Sequence, residues 1–155
     1  MKNRIKISQI DEFIFSHLEG VIPQSAWGER AYFYNPGNRF ARGTYFLTIK
    51  EKDGENDCAS NLKTAGDWRL NFGIQRKSFI NIFGAPPLRP AKGSVIEGPW
   101  DFTEQDVLTP HPVYGWMGWL AVKNPSLETF EFCKPLIIDA HEKARQTFMK
   151  RSKTN

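Results

Sequence analysis

Residues 21–50 read VIPQSAWGERAYFYNPGNRFARGTYFLTIK, and this stretch predicts a β-hairpin. Aromatic and β-branched residues are dense on both sides of the segment NPGN (35–38), whose composition favours a turn. The spacing predicts one strand near residues 30–34 and a second near 40–50. In the second strand apolar residues occupy both sets of alternating positions, which predicts apolar surface on both of its faces.

Helices and a further strand flank this hairpin. Downstream, the segment WRLNFGI (68–74) places four apolar side chains on one face of a third strand and Arg69 and Asn71 on the other. Helical spacing then resumes and stops at Gly84. Upstream, Ser8 predicts the N-cap of a first helix over about residues 9–19, with Asp11 completing a capping box.

The second half of the chain predicts a loop, a strand and a last helix. Residues 84–99 are rich in proline and glycine, which predicts a long loop without helix. The segment DVLTPHPVYGWMGWLAV (106–122) predicts extended backbone over Val113–Val122 that carries large rings into the interior. Ser126 predicts the N-cap of the last helix, and Pro135 inside it predicts a kink or a break. A basic tail over residues 150–155 is predicted to be disordered.

The order of these elements indicates the fold class. Helix, hairpin, strand, helix, long loop, strand and helix predict an α+β fold, with an antiparallel β-sheet and helices packed on it. A length of 155 residues is typical of one domain, so we predict a single domain over residues 1–155.

The composition predicts a cytoplasmic protein. Cys58 and Cys133 are too few for a disulfide scaffold and predict free thiols, although the sequence leaves a disulfide between them open. No stretch has the roughly 18–20 apolar residues that a membrane helix needs, so we expect no membrane partner. The net charge of +4 is concentrated in residues 141–155, which hold five basic residues against one acidic residue. The rest of the chain is therefore neutral overall, which weighs against nucleic-acid binding.

The sequence lacks the common enzyme motifs. The sequence contains no nucleophile elbow, Walker A loop, dinucleotide fingerprint or HExxH zinc motif. The three histidines are widely spaced, so we predict no metal site, no cofactor and no catalytic residue.

A small-molecule or anion pocket is the leading site hypothesis. Arg69 and Asn71 share one strand face, and neighbouring strands can bring Arg30 and aromatic rings to the same side. The predicted ligand-binding residues are Glu29, Arg30, Tyr34, Arg69, Asn71, Arg76, His111, Tyr114 and Trp116. The alternatives are a solvated polar face, a loop histidine bonded to backbone at His111, and core packing of the tryptophans.

Four segments carry a resemblance to known families. They are AWGERAYFYNP (26–36), RLNFGIQRKSFINIFG (69–84), TPHPVYGWMGWLAVKNP (109–125) and FEFCKPLIIDAHEKAR (130–145). Together they resemble a family of small proteins of unassigned function and, more distantly, the MmcQ/YjbR group. The distant resemblance implies a double-wing layout related to secretion-chaperone-like α+β domains. It also implies DNA binding, which has been proposed for that group.

Three functional hypotheses follow. The first is a small cytoplasmic binding domain without catalysis, whose partner is unknown and whose ligand is a small anion. The second is a DNA-binding protein, by analogy with the MmcQ/YjbR group. The third is a ligand binder or enzyme that uses loop 84–99 as a lid. By analogy alone, pairing of sheets would make a homodimer.

Overall fold

Within residues 3–154, the part of the chain that the computed structural model describes, six antiparallel strands form one sheet and three α-helices pack on it. The strands are β1 (Val21–Ala26), β2 (Glu29–Tyr34), β3 (Thr44–Lys50), β4 (Arg69–Gly73), β5 (Thr109–Pro110) and β6 (Trp119–Lys123). The helices are α1 (Ile7–His17), α2 (Arg76–Phe83) and α3 (Leu127–Thr154). The strand order is β1-β2-β3-β4-β6-β5. The predicted α+β class with an antiparallel sheet is confirmed.

The two faces of the sheet differ in chemistry because side chains alternate along each strand. One face joins the helices in the main core, to which β4 contributes Leu70 and Phe72 and α3 contributes Cys133 and Ile137. The opposite face carries Thr48 from β3, together with Arg69 and Asn71 from β4. These polar side chains are nevertheless buried, because loops rather than helices cover them. The candidate functional site lies on this loop-covered face.

The hairpin prediction is confirmed, although its borders differ. Strand β2 pairs with β3, with Tyr34 opposite Thr44, and residues 40–43 belong to the connection rather than to the second strand. Strand β1 was not predicted. It is an edge strand that contains Pro23, and an edge is where a sheet tolerates proline.

The first helix begins two residues earlier than predicted. Helix α1 begins at Ile7, and its N-cap is Lys6. The Lys6 amide donates to the Gln9 side chain at 2.8 Å, so Gln9 performs the capping role assigned to Asp11. Ser8 lies inside the helix. Asp11 instead binds Arg30 and Tyr32 on β2, a tertiary contact that spacing along the chain does not reveal.

The predicted strand over Val113–Val122 is only partly correct. Extended structure begins at Trp119, and residues Gly115–Met117 form a turn of 3-10 helix. The chain turns because the Val113 and Tyr114 amides both donate to the His111 ring instead of to a neighbouring strand. Gly118 then takes a left-handed conformation with φ 92°, which glycine adopts without strain, and leads into β6.

The last helix begins as predicted but does not break. The Thr129 amide donates to Ser126 Oγ at 3.2 Å, which confirms Ser126 as the N-cap. Helix α3 passes through Pro135 as one element, so the predicted break is wrong. Proline removes one backbone hydrogen bond there, while buried residues such as Cys133 and Ile137 hold the helix on both sides of it.

The basic tail also differs from its prediction. Residues 150–154 continue α3 rather than being disordered, and Asn155 lies outside the described residues. Arg151 donates to the Arg42 carbonyl at 2.9 Å, which ties the end of α3 to the turn between β2 and β3. In the described range, no helix combines the length and the apolar character needed to span a membrane.

Candidate functional site

A cavity of about 260 Å³ opens on the loop-covered face of the sheet. Its lining combines four aromatic rings with three polar side chains, namely Trp27, Glu29, Tyr45, Thr48, His111, Tyr114 and Trp119. The strands β2, β3 and β6 provide the floor and one wall. The turn between β1 and β2 and the exposed Tyr114 form the rim, and the buried His111 adds to the floor. We call this cavity the aromatic pocket.

One wall of the aromatic pocket is a row of contacting rings. The Tyr45 ring centroid lies 5.1 Å from that of Trp119, nearly parallel to it, and 5.0 Å from that of Trp27. The Trp119 indole can lie across the sheet because β4 has glycine beneath it. A Cβ atom on Gly73 would come within 2.5 Å of Trp119 Nε1. Gly73 is therefore what allows Trp119 to form this wall.

Trp27 occupies an unusual backbone position. Ala26 pairs with Glu29, so Trp27 and Gly28 alone form the turn between β1 and β2, with φ of 54° and 74°. Such turns favour Asn-Gly, and a left-handed tryptophan costs about 1–2 kcal/mol. Burial does not offset this cost, since Trp27 is 61% exposed. A strained, exposed indole at the rim of a cavity is a backbone outlier from which a function can be proposed.

Beneath the aromatic pocket, Arg69 is held in a buried hydrogen-bond network. Its guanidinium forms a double hydrogen bond with Asp57. Nε donates to Asn71 at 2.7 Å, and Nη1 donates to Ser60 at 2.9 Å. Since Arg69 is 1% exposed and each of its nitrogens is enclosed by protein groups, the arginine supports the site and is not accessible to an anion in the pocket.

His111 forms part of the floor, and its tautomer follows from its neighbours. Nδ1 accepts hydrogen bonds from the Val113 amide at 3.0 Å and from the Tyr114 amide at 3.1 Å, so the neutral ring carries its proton on Nε2. Nε2 lies 3.0 Å from Arg69 Nη2 and 3.8 Å from the Asp57 carboxylate. The amides of Val113 and Tyr114 and the guanidinium of Arg69 thus all direct N–H groups at the His111 ring. In the neutral ring only one of the two nitrogens can accept them.

These surroundings keep His111 uncharged. Burial, followed by the positive charge of Arg69, lowers the pKa of His111 well below its ordinary value of 6.5. For Asp57 burial alone would raise the pKa, but the hydrogen bonds and charge of Arg69 outweigh burial and lower it. The floor of the pocket therefore presents a neutral imidazole above an ion pair whose charges cancel.

The structure brings together some of the predicted site residues and separates others. Glu29, His111 and Tyr114 line the aromatic pocket, and Arg69 and Asn71 lie in the network beneath it. Asn71 connects the two, since its Nδ2 donates to Thr48 Oγ1 at 3.1 Å.

The other four predicted residues lie elsewhere. Arg30 faces α1 and binds Asp11, while Tyr34 is buried against α3. Arg76 is exposed on α2. Trp116 lines a separate depression beside loop 84–99, where the Arg89 guanidinium lies 4.7 Å from its ring centroid.

Sequence reasoning missed Trp27, Tyr45, Thr48, Trp119 and Asp57 as parts of the site. A signal was available for Trp27, because a Trp-Gly pair between two strand-like segments places tryptophan at a turn position that normally holds a small polar residue. No signal identified Asp57, because it lies in a polar loop and reaches Arg69 only in the folded chain. Among residues 3–154, no cluster of three or more histidine, cysteine, aspartate or glutamate side chains could hold a metal ion.

The comparisons with known proteins assign a family. A family model described as a family of unknown function (DUF6194) matches residues 5–153. The chain belongs to this family. No match was found among curated proteins or among solved structures. Membership of the DUF6194 family therefore comes without a known activity, and a functional proposal depends on the geometry of the aromatic pocket.

Proposed function

We propose that this protein is a binding domain that holds a small organic ligand in the aromatic pocket. The observation that carries this proposal is the position of Trp27, a strained and largely exposed indole that joins Tyr45 and Trp119 around the cavity. An interior ring would be explained by the hydrophobic effect, and an isolated surface ring would need no explanation. A row of rings that lines a cavity is typical of a ligand site.

The size of the cavity limits the ligand. An apolar cavity of about 150 Å³ accommodates benzene, and drug-sized sites begin near 300 Å³. A volume of about 260 Å³ therefore fits one ring or one compact head group. The network of Arg69 below the floor fixes the polar side chains in place, which lowers the entropy cost of ordering them on binding.

The test is a titration of tryptophan fluorescence with single-ring compounds and small head groups of all three charge types. We expect saturable binding by at least one class. Trp27→Asn should weaken binding roughly tenfold by removing one contact face, while the Asn-Gly turn that it creates should raise stability by about 0.5–1 kcal/mol. If Trp27 serves binding rather than folding, its replacement should weaken binding and raise stability.

The matched control is Phe15→Ala, which removes an exposed ring from α1 on the other face of the sheet. It should leave the affinity unchanged. The proposal is contradicted if no compound of any class binds. It is also contradicted if Trp27→Asn and Phe15→Ala have equal effects on the affinity.

Loop 84–99 is a candidate lid, as predicted from its length. Ile96 anchors it, since this side chain is 3% exposed and its amide donates to the Pro112 carbonyl at 2.8 Å. Residues 89–92 line the neighbouring depression, which shares Tyr114 with the aromatic pocket. A turnover that disappears on His111→Ala would favour the enzyme hypothesis over simple binding.

DNA binding is the second candidate, and one observation favours it. The end of α3 packs against the turn between β2 and β3, which gathers basic residues from distant parts of the chain. Arg39 donates to the Ser152 carbonyl at 3.3 Å, and the Arg151 guanidinium lies 3.8 Å from the Phe40 ring centroid. Arg42 lies in the same turn, so the basic tail is not an isolated charged end.

Salt dependence tests DNA binding. If phosphates are bound here, the affinity for duplex DNA should fall with salt, with a logarithmic slope of roughly −0.9 for each phosphate contact. Replacing Arg39 and Lys153 with glutamine should reduce that slope, whereas replacing Arg76 and Lys77 on α2 should not. A flat response to salt, or equal effects of the two double variants, contradicts the hypothesis.

We also propose that the chain acts as a single domain in the cytoplasm. Cys58 is an exposed free thiol and Cys133 a buried one, which suits a reducing compartment. The MmcQ/YjbR-like layout and a homodimer stay predictions from resemblance.

A further inference from the structure

We propose that the aromatic pocket selects a positively charged head group, an organic ammonium of the methylated-amine class, through its rings and Glu29. This inference rests on the proposed function, because it specifies which ligand the same pocket takes. It replaces the small anion expected from the sequence. Three features of the pocket carry it: the charges of its lining, the arrangement of its rings and the neutral state of its floor.

The lining contains one carboxylate and neither lysine nor arginine, and its one histidine, His111, is neutral. The Glu29 side chain is 19% exposed and forms an ion pair with Lys50 at 3.9 Å, a distance too long for a hydrogen bond. Within residues 3–154 no side chain or amide donates a hydrogen bond to its carboxylate, so its oxygens can accept from a ligand beside this loose ion pair. A half-buried carboxylate without hydrogen bonds favours a ligand that supplies a positively charged group.

The basic groups nearest to the pocket are already engaged. Arg69 binds Asp57, and Lys50 lies beside Glu29. Arg42 lies outside the lining, where its guanidinium carbon is 5.4 Å from the Trp27 ring centroid and 5.7 Å from that of Phe33. The protein thus already places a cation against these rings from outside the cavity, which is the interaction that the inference assigns to a ligand inside it.

The rings form a corner rather than a flat surface. Tyr45 and Trp119 are nearly parallel, at 29°, whereas Trp27 is tilted by 58° against Tyr45. Aromatic faces carry partial negative charge and attract a cation within about 6 Å of the ring centroid. Rings at different angles surround a compact charge better than they stack on one flat molecule. Tyr114, which is 47% exposed, adds a fourth ring to the lining.

The positive charges nearest to the floor, on Arg69 and Lys50, are each paired with a carboxylate, so the floor adds no net opposing charge. His111 is neutral because its Nδ1 accepts from two amides and because burial lowers its pKa. The pKa of Tyr45 is raised mainly by burial, with smaller contributions from Tyr114 and from the Glu29 carboxylate. Methylated ammonium ions are weakly hydrated, so rings and one carboxylate are sufficient partners for them.

The experiment uses a pair of probes that differ only in charge. Choline and 3,3-dimethylbutan-1-ol have the same shape, with nitrogen in one replaced by carbon in the other. Phenyltrimethylammonium and benzoate extend the comparison to a ring of either charge. We expect the full-length protein to bind the trimethylammonium probes at least about tenfold more tightly than the uncharged alcohol or benzoate, as measured by calorimetry.

Glu29→Gln keeps the shape of the side chain and should reduce that preference to within about threefold. Glu12→Gln, which removes an exposed carboxylate from α1, is the control and should leave it unchanged. Because the preference is measured first in the unaltered protein, it does not depend on how well a variant folds.

Each alternative outcome is decisive. Equal binding of choline and its alcohol, with loss of both in Trp27→Asn, overturns the charge preference and leaves the binding proposal standing. Tighter binding of benzoate that is lost in Arg42→Gln also overturns it, in favour of the anion. Failure of all four probes and of the wider fluorescence panel overturns this inference together with the proposed function.

Discussion

Replacing Arg69 with methionine is expected to lower the free energy of unfolding by about 3–5 kcal/mol. Arg69 is 1% exposed, and its loss would leave the Asp57 carboxylate buried without its counter-charge. Asn71 and Ser60 would also lose the hydrogen bonds that they accept from Arg69. Urea denaturation at neutral pH measures this change. Methionine fills a similar volume, so the loss reports broken polar contacts rather than a cavity.

Two further variants define the source of the effect. Arg76→Met removes an exposed arginine from α2 and should change stability by less than about 0.5 kcal/mol. Combining Arg69→Met with Asp57→Leu should recover part of the lost stability, since removing both charges leaves neither unpaired. A loss in Arg69→Met no larger than that in Arg76→Met would contradict the structural role of the network.

Acidification below about pH 6.5 is expected to destabilise the fold through His111, by up to about 1.4 kcal/mol per pH unit. The pKa of His111 is lowered in the folded protein, so below 6.5 the unfolded chain takes up a proton that the folded chain does not. Stability therefore rises with pH through this window and levels off above it. Denaturation at a series of pH values between about 5 and 7.5 measures the slope.

The pH range of this effect distinguishes the contribution of His111 from that of the Asp57 carboxylate. The pKa of Asp57 is lowered from 3.8, so its contribution is present above that value and is lost only in stronger acid. His111→Gln should flatten the slope between about pH 5 and 6.5, while His17→Gln, on the exposed side of α1, serves as the control. A slope in His111→Gln equal to that of the unaltered protein would show that another group is responsible.

The pH effect has a functional consequence. A proton on Nδ1 of His111 would place an N–H against the amides of Val113 and Tyr114, which now donate to that nitrogen. The turn that carries Tyr114 into the rim of the aromatic pocket depends on these two bonds. Ligand affinity should therefore weaken only at a lower pH than the one at which stability begins to fall, because the folded protein takes up this proton only below the lowered pKa of His111.

Several elements followed from local patterns. The hairpin of β2 and β3 and the strand β4 were predicted because apolar alternation and turn residues act over a few neighbours. Ser126 was predicted as a cap for the same reason. Where a side chain was bound by a distant partner instead, as Asp11 is by Arg30, the local prediction was wrong.

The segment from His111 to Trp119 shows most clearly where prediction from local sequence patterns fails. Its prolines and rings favour extended backbone, yet the His111 ring accepts the two amides that a strand would have offered to a neighbour. Pro135 shows the opposite case, since packing on both sides keeps α3 continuous where local preference predicts a break.

By itself the sequence determined the class of the fold, the polar side of β4 and the position of Glu29, His111 and Tyr114 as site candidates. Only the tertiary structure decided that Asp57 neutralises Arg69 and that Trp27, Tyr45 and Trp119 meet around one cavity. The physical reason is the distance along the chain over which each interaction acts. Hydrophobic alternation and capping act between near neighbours, whereas the charge and shape of a pocket come from residues that meet only when the strands pair.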